Sequence, residues 1–273
     1  MSSAEKVRVR FAPSPTGFMH IGNVRAAIFN WLLARHTGGE FLLRVEDTDR
    51  ERFRQEYVDV IVGSLNWLGL NTDEEPVFQS KRANAHLTVA HKLLSEGKAY
   101  PCFCSEEELE KLKSESAHGF KYPGTCRSRS WTKADLEKPH AIRFKIPNEC
   151  YFVEYTDLIR GKVTVSREQL DDFVIVRSCG MATYNFCNVV DDSFMNISHV
   201  IRGEDHISNT LKQILIYEAL GLNAPEFAHL PLVFGAPGEK LSKRHGAVSV
   251  DEYRTQGFLP DALINYLARL GWS

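Results

Sequence analysis

The sequence has 273 residues, of which 43% are hydrophobic and 25% charged, so it can bury a full core in one large domain or two smaller ones. Its 33 basic and 35 acidic residues give a formal net charge of −2, so any site for a polyanion must be local. It contains neither an apolar run long enough to cross a membrane nor a signal-peptide core, which predicts a cytoplasmic protein.

The N-terminal segment predicts a strand, a loop, a helix and a second strand. Apolar and basic residues alternate over residues 7–11, which is strand periodicity, and Pro13 and Pro15 then require a turn. Residues 24–34 are apolar on most faces and predict a buried helix that ends at Gly38, before the buried strand "EFLLRVED". The loop before such a helix suits anions, because unpaired N–H groups and the positive end of the helix dipole point there.

The rest of the chain alternates in the same way, with one interruption. Apolar residues at helical spacing predict helices over residues 53–70 and 83–96. Residues 102–182 are more polar and include the strand-like runs "HAIRFKI", "KVTVSREQ" and "DFVIVRS", which predicts an α+β insertion. The strand-like "HVIRGED", a helix over residues 209–220 and the strand "LPLVFG" resume the earlier pattern, and a helix over residues 260–270 follows a loop rich in glycine and proline.

Two strand–helix–strand halves around an insertion predict an α/β fold with a doubly wound parallel sheet of the Rossmann type and an α+β insertion domain. We assign residues 1–101 and 183–240 to the two halves of the core domain. Residues 102–182 form the insertion, and residues 241–273 form the late loop and the final helix. The sequence shows no internal repeat that would indicate another organisation.

Three short motifs contain residues of the kinds used in binding sites, and each is weak evidence when taken alone. "HIGN" lies at a helix start, where histidine usually caps the helix or fills the core. "KLSKRHG" has the composition of a solvated turn. "RVEDTDR" includes Asp47 and Asp49, but it lacks the glycine and the final glutamate of a calcium loop. The order of the motifs is therefore more informative than any one of them.

Five motifs follow one another in the order "APSPTGFMHIGN", "RVEDTDR", "ATYNFCNVVDD", "VIRGEDHISNT" and "KLSKR". This order of motifs resembles that of the class I aminoacyl-tRNA synthetases, and the residues within the motifs are similar to those of the bacterial glutamyl-tRNA synthetases. "HIGN" and "KLSKR" resemble the two class signatures, usually written HIGH and KMSKS. The resemblance runs from about Val7 to Ser273. It implies a ligase that converts L-glutamate and ATP to glutamyl-adenylate and transfers the glutamyl group to the 3′ end of tRNA-Glu.

The implied reaction joins a carboxylate to the α-phosphate of ATP and releases pyrophosphate. Because the nucleophile is already ionised, no general base is needed, and catalysis depends on positioning and charge stabilisation at phosphorus. The resemblance implies that His20, Lys240 and Lys243 are catalytic and that Mg²⁺ accompanies the nucleotide. Asn23 replaces the second signature histidine, which leaves the phosphate contact to His20. The residues implied to bind ATP are Gly17, His20, Gly22, Asn23, Asp205, His206, Lys240, Ser242, Lys243 and Arg244.

Glutamate requires a cation for each carboxylate and an acid for its ammonium group, and arginine suits a carboxylate because its planar fork pairs with both oxygens. The residues implied to bind glutamate are Arg10, Ala12, Ser14, Glu46, Tyr184, Asn188 and Arg202. Glu46 would face the ammonium group. The alternative for Arg10 and Arg202 is structural ion pairing with Glu46 or Asp205. Two arginines favour glutamate over glutamine, since a neutral amide would leave one guanidinium unpaired.

The insertion contains three cysteines that lie close together in the sequence, Cys102, Cys104 and Cys126. Three thiolates and one further donor would bind zinc tetrahedrally. The resemblance implies Tyr122 as the fourth ligand, and His118 is the alternative. The other interpretation is three small buried apolar residues. In either case the insertion, with Arg127 and Arg129, is expected to contact the acceptor end of tRNA.

Three other functions are compatible with parts of the sequence: glutamyl transfer to a modified base of tRNA-Asp by the truncated paralogue, nucleotidyl transfer to a small metabolite, and non-catalytic tRNA binding. The synthetase is favoured by the residues of "RVEDTDRER" and "LSKRHGAVSVDEY", by the insertion and by the intact signatures. The expected partners are L-glutamate, ATP and the acceptor stem of tRNA-Glu, with no membrane and a monomeric state. In the resembling family a segment like "NYLARLGWS" leads into stem-contact and anticodon-binding regions, so we expect the catalytic part of a longer protein.

Overall fold

The computed structural model describes residues 6–49, 51–115, 120–233 and 249–270. The strands in these ranges are β1 (Arg8–Phe11), β2 (Glu40–Val45), β3 (Val77–Phe78), β4 (Ala99–Cys102), β5 (Ala141–Phe144), β6 (Phe152–Asp157), β7 (Gly161–Ser166), β8 (Val174–Val176), β9 (His199–Gly203) and β10 (Glu226–Leu230). The helices are α1 (Ile21–Thr37), α2 (Gln55–Trp67), α3 (Ala83–Ser95), α4 (Glu106–Ser114), α5 (Tyr184–Phe194), α6 (Ile207–Leu220), α7 (Val250–Thr255) and α8 (Pro260–Arg269).

The central sheet is mainly parallel. Within the described ranges its seven strands have the order β3-β2-β1-β9-β10-β6-β7. In this spatial order, the six strands β3, β2, β1, β9, β10 and β6 pair in parallel with one another. The last pair, β6 and β7, forms an antiparallel hairpin at one edge. The chain order reverses between β1 and β9, and such a reversal is where open α/β sheets leave a crevice for ligands.

Helices cover both faces of this sheet. α1, α2 and α8 pack on one face in a core that includes Val9, Ile28 and Leu263. α3, α5 and α6 pack on the other face, around Phe186 and Ile216. Because the central strands are buried on both faces, a strand such as β2 is buried at five consecutive positions and does not alternate between buried and exposed residues. The predicted doubly wound α/β fold is therefore confirmed.

Local chemistry sets the two ends of α1. His20 is the N-cap, and its Nδ1 accepts a hydrogen bond from the N–H of Gly22 at 3.1 Å. Gly38 ends the helix with φ of 66°, a left-handed conformation that glycine adopts without strain, and its N–H donates to the carbonyl of Ala34. The helix starts at Ile21, three residues before the predicted start. The "HIG" motif therefore forms the first turn of the helix.

The segment predicted as an insertion contributes to two sheets. β4, β5 and β8 form a separate antiparallel sheet. The β6–β7 hairpin instead extends the central sheet, with Asp157 of β6 beside Phe227 of β10. β4 also begins at Ala99, before residue 102. The segment is thus tied to the core by its own strands, and the domain boundaries stay a prediction.

The last core strand and helix α5 differ from the sequence-based expectation. The last core strand is Glu226–Leu230 and not "LPLVFG", because Pro231 has no N–H with which to continue the sheet. α5 has no counterpart among the predicted elements, since its buried face includes Asn188, Asp191 and Asp192 in place of apolar residues. In the part of the chain that the structure describes, no helix is long and apolar enough to span a membrane.

Candidate active site

A cleft of about 500 Å³ opens at the carboxyl ends of the parallel strands. The loop after β1, the turn after β9 and the residues after β10 form its walls, and α1 and α5 supply further side chains. The cleft lies where the strand order reverses between β1 and β9. The first turn of α1 also faces it, so that backbone N–H groups and the positive end of a helix dipole are available to an anion.

The cleft brings together every described residue that the sequence assigns to ATP or to glutamate. These residues are Arg10, Ala12, Ser14, Gly17, His20, Gly22, Asn23, Glu46, Tyr184, Asn188, Arg202, Asp205 and His206. The remaining assigned residues lie outside the described ranges, and they are Lys240, Ser242, Lys243 and Arg244. The individual role of each residue stays a proposal.

Gly22 makes room for the imidazole of His20. A Cβ atom at position 22 would lie 3.0 Å from Cε1 of the His20 ring, which is closer than ordinary van der Waals contact. Without that atom the ring folds back over the first turn of α1 and accepts the N–H of Gly22. The glycine of "HIG" therefore positions the histidine at the helix start.

The segment from residue 234 to residue 248 lies outside the described ranges, but both of its neighbours meet the cleft. Leu232 and Val233 line the cleft wall on one side. On the other side Ser249 forms a β-bridge with His20, and the N–H of Val250 donates to the carbonyl of Met19 at 3.1 Å. The described residues on both sides of the "KLSKR" motif thus lie at the cleft or contact residues that line it.

Two buried arginines share one carboxylate beneath the cleft. Asp192 of α5 accepts from Nε of Arg10 at 2.9 Å and from Nη1 of Arg44 at 2.5 Å. The two arginine side chains are 3% and 0% exposed. Burial alone would raise the pKa of Asp192, but the two guanidinium groups outweigh it, and the pKa lies below its ordinary value. Asp192 therefore stays ionised and holds both cations in place.

Glu46 lies at the edge of this cluster and lines the cleft. Its Oε1 accepts from Nδ2 of Asn188 at 3.1 Å, and Nη2 of Arg44 lies 3.5 Å away. Burial raises the pKa of Glu46, with Arg44 and Arg10 acting in the opposite direction. A ligand cation in the cleft would favour the ionised form of Glu46, so this position suits the ammonium group of an amino acid.

Arg202 is a buried cation whose direct partners are neutral. Its Nε donates to Nε2 of His229 at 3.2 Å, and its Nη2 donates to Thr210 and Gln213, each at 2.7 Å. Its Nη1 lies 3.4 Å from the hydroxyl of Tyr184. The residue is 7% exposed, lines the cleft and has a pKa lowered by burial. A buried guanidinium without a carboxylate beside it is costly, so the cleft favours an anionic ligand here.

The structural ion pairs considered for the two cleft arginines are not observed among the described residues. Arg10 pairs with Asp192 and not with Glu46 or Asp205. Arg202 contacts the neutral groups named above. The arrangement therefore leaves Arg202 in particular suited to a ligand carboxylate.

His206 precedes α6 and borders the same cleft. Its Nδ1 lies 3.0 Å from the hydroxyl of Tyr184 and 3.2 Å from Nδ2 of Asn209. Burial, and then the charge of Arg202, lowers the pKa of His206 to about 4. The ring is therefore neutral at neutral pH, and it offers hydrogen bonds to a ligand without adding charge.

The three cysteines of the insertion converge around Tyr122. Their sulfur atoms lie within 4.8 Å of one another, and those of Cys104 and Cys126 are 3.7 Å apart. The Tyr122 hydroxyl lies 3.4 Å from the sulfur of Cys102. Sulfur atoms around tetrahedral zinc lie about 3.8 Å apart when each Zn–S bond is about 2.3 Å. The cluster is therefore able to hold a metal ion, while the alternative ligand His118 lies outside the described residues.

Several residues that shape the site received no role in the sequence-based assignments. Arg44 had a signal in the sequence, because it lies two residues before Glu46 in the predicted strand "EFLLRVED" and so on the same face. Asp192 stands inside the "ATYNFCNVVDD" motif but without an assigned partner. Asp157 and His229 lie far apart in the sequence, and no local pattern indicates that they pair.

Comparison with known proteins agrees with this geometry. Residues 6–273 match the family described as tRNA synthetases class I (E and Q), catalytic domain. The glutamate–tRNA ligase of Thermodesulfovibrio yellowstonii is 55% identical over 267 residues, which are 98% of this chain and 57% of that protein. The glutamate–tRNA ligase of Trichlorobacter lovleyi is 53% identical over 270 residues, with the same coverage.

A crystal structure of a glutamate tRNA ligase from Elizabethkingia meningosepticum in complex with its amino acid has a TM-score of 0.90 and 39% identity. The match covers 98% of this chain and 61% of that one. The chain thus spans about 57% of the length of the curated relatives described above. Because the family match covers residues 6–273, the chain belongs to the class I tRNA synthetases of the E and Q type and corresponds to their catalytic domain.

Proposed function

We propose that the protein activates L-glutamate with ATP to form glutamyl-adenylate and transfers the glutamyl group to the 3′ end of tRNA-Glu. The observation that carries this proposal is the buried Arg202, which lines the cleft with neutral direct partners and is matched to a carboxylate ligand. Relatives named glutamate–tRNA ligase, which align over 98% of the chain, support the same reaction.

The amino-acid part of the cleft offers complementary charges to glutamate. Arg10 and Arg202 supply a cation for each carboxylate, and Glu46 supplies an acid for the ammonium group. Glutamine would replace one carboxylate with an amide and leave a buried guanidinium without an anion. The substrate carboxylate then attacks the α-phosphate, and the attacking oxygen needs no base because it is already ionised.

The nucleotide part uses the start of α1. Because Nδ1 of His20 accepts the N–H of Gly22, the ring proton lies on Nε2, which suits donation to a phosphate oxygen. Lys240 and Lys243 would stabilise the departing pyrophosphate, and this role is supported by the two chain ends that flank their segment at the cleft. Mg²⁺, which is general to this family, would neutralise phosphate charge when bound with ATP. Gly17, Asn23, Asp205, His206, Ser242 and Arg244 complete the proposed nucleotide site.

Glutamate-dependent exchange of pyrophosphate into ATP tests the proposal. The exchange should require glutamate, should not occur with glutamine or aspartate, and should rise when tRNA-Glu is added, as the family commonly requires. Transfer of labelled glutamate to tRNA-Glu and to tRNA-Asp separates the proposed reaction from that of the truncated paralogue. No exchange with glutamate in the presence of tRNA-Glu would contradict the proposal.

On acidification, glutamate affinity should begin to fall at a higher pH than it would if Glu46 had the pKa of an ordinary carboxyl group. Burial raises the pKa of Glu46, so this group gains its proton above the usual value of about 4.3, and the neutral form does not attract an ammonium group. Calorimetric titration with glutamate across the acid to neutral range measures the effect. Glu46→Gln should weaken binding about tenfold at neutral pH and remove this pH dependence.

The matched control for that measurement is Glu96→Gln, which removes a surface carboxylate paired with Lys98. It should bind glutamate like the unaltered protein at every pH. An acid-induced loss of affinity that persists unchanged in Glu46→Gln would show that another group titrates.

We also propose that Cys102, Cys104, Cys126 and Tyr122 bind one zinc ion. The geometry supports zinc, but burial, and then the hydrogen bond with Cys102, raises the pKa of Tyr122, so its proton must be displaced by the metal. Protein purified without chelator should contain about one zinc per chain by atomic emission. Cys104→Ser should lose it, while Cys150→Ser, outside the cluster, should retain it. Loss of zinc in an alanine variant of His118 but not in Tyr122→Phe would assign the fourth ligand to the histidine.

The acceptor end of tRNA-Glu is proposed to lie along the insertion. Arg127 is held by Asp172 at 2.6 Å, so its charge is already balanced within the protein. Arg129 stacks over Phe103 at 4.7 Å and is the better candidate for a phosphate contact. We further propose a monomeric, cytoplasmic protein with the domain boundaries given above.

A further inference from the structure

A buried acid–histidine pair lies directly behind Arg202. Asp157, the last residue of β6, and His229 of β10 have fully buried side chains, and Nδ1 of His229 lies 2.6 Å from Oδ2 of Asp157. Neither residue lines the cleft. We propose that these two are positioning residues, which hold the guanidinium of Arg202 toward a glutamate carboxylate by fixing His229 as the tautomer protonated on Nδ1. This inference rests on the proposed function.

The contacts of Arg202 determine which nitrogen of His229 carries the proton. The Nε–H of Arg202 can only donate, so Nε2 of His229, 3.2 Å away, must be the acceptor. The ring proton then lies on Nδ1 and is donated to Asp157. Burial lowers the pKa of His229, with Asp157 opposing, so the ring is neutral at neutral pH. Oγ1 of Thr210 also lies 3.0 Å from Nε2, and a hydroxyl can donate to an unprotonated ring nitrogen. A proton on Nε2 would instead bring a second donor against the Nε–H of Arg202.

Asp157 accepts further hydrogen bonds, and it needs both of its oxygen atoms to accept them all. Only a carboxylate offers two such acceptors at once. Its Oδ1 accepts the backbone N–H groups of Ile159 at 3.0 Å and Arg160 at 2.9 Å, while Oδ2 faces His229. In an asparagine that keeps its oxygen on these N–H groups, the amide nitrogen would donate to Nδ1 of His229. The ring proton would then move to Nε2 and face the Nε–H of Arg202.

The remaining contacts of Arg202 explain why this one hydrogen bond matters for binding. Thr210 and Gln213 hold Nη2 from α6, and His229 holds Nε from β10. Together they fix the plane of the guanidinium, on which pairing with both oxygens of a carboxylate depends. Asp157 belongs to the hairpin that the insertion adds to the central sheet. The insertion therefore supports the amino-acid pocket from behind.

The closing experiment compares Asp157→Asn with Glu154→Gln by calorimetry and by ¹⁵N NMR of the histidine rings. Glu154 lies on the same strand and pairs with Lys162 on the surface, so its amide variant is a matched control. Asp157→Asn should weaken glutamate binding about tenfold and leave ATP binding unchanged, whereas Glu154→Gln should alter neither. The His229 ring, assigned by its loss in His229→Gln, should carry its proton on Nδ1 in the unaltered protein and on Nε2 in Asp157→Asn.

A second pair of variants keeps the test decisive if Asp157→Asn does not fold. His229→Gln still offers an oxygen to the Nε–H of Arg202 and should retain most glutamate affinity, while His229→Phe offers none and should lose about tenfold. A ring protonated on Nε2 in the unaltered protein, or equal glutamate affinity in all variants, would overturn the inference alone. Failure of the unaltered protein to bind glutamate would overturn the proposed function, and the inference with it.

Discussion

Replacing Arg202 with methionine should weaken glutamate binding by about 100-fold, because a buried cation that faces a carboxylate ligand is worth roughly 2–5 kcal/mol. The side chain lines the cleft, and its direct partners are neutral, so no other cation takes over its role at that place. Methionine keeps much of the side-chain volume, and removing an unpaired buried charge should spare the fold. Calorimetric titration with glutamate and with ATP measures the effect, and ATP affinity should be unchanged.

Two comparisons sharpen this prediction. Arg202→Lys retains the charge but loses the planar fork, so it should recover only part of the affinity. Arg35→Met, which removes a surface arginine paired with Asp73, is the matched control and should bind glutamate normally. The preference for glutamate over glutamine should also shrink in Arg202→Met. A variant that keeps both affinity and preference would refute the assignment of Arg202 to a carboxylate.

Replacing Asp192 with asparagine should lower the free energy of unfolding by about 3–5 kcal/mol at neutral pH, because two buried guanidinium groups lose their shared anion. The side chains of Arg10 and Arg44 are 3% and 0% exposed, so water can compensate very little for the lost anion. Urea unfolding of both proteins measures the difference. Asp49→Asn, at an exposed pair with Arg52, is the control and should leave the unfolding midpoint nearly unchanged.

The effect of Asp192→Asn on the free energy of unfolding should also depend on pH. The pKa of Asp192 in the folded protein lies below that in the unfolded chain, so its stabilising contribution is complete above the unfolded value of about 3.9. It is lost as the pH falls through the folded pKa. The stability difference between the two proteins should therefore be constant near neutrality and shrink only in strong acid. A difference that disappears already at mildly acid pH would mean that another group dominates.

The sequence by itself determined the fold class, because hydrophobic periodicity and glycine or proline breaks are local properties. The strand–helix–strand pattern around residues 7–45 and again around residues 199–230 required a doubly wound sheet. The order of the motifs led to the family resemblance, which implied that His20, Glu46 and Arg202 belong to one site. Parallel strands end at a common edge of the sheet, which is consistent with the observed meeting of these residues in one cleft.

Only the tertiary structure decided which buried charges pair. Asp192 joins Arg10 and Arg44 across more than a hundred residues, and Asp157 reaches His229 across an unexpected sheet extension. α5 escaped prediction for the same reason, since its buried polar residues are satisfied by distant partners and so break the apolar pattern. Periodicity records which face of an element is buried, whereas the partner of a buried polar group depends on three-dimensional packing that no local pattern encodes.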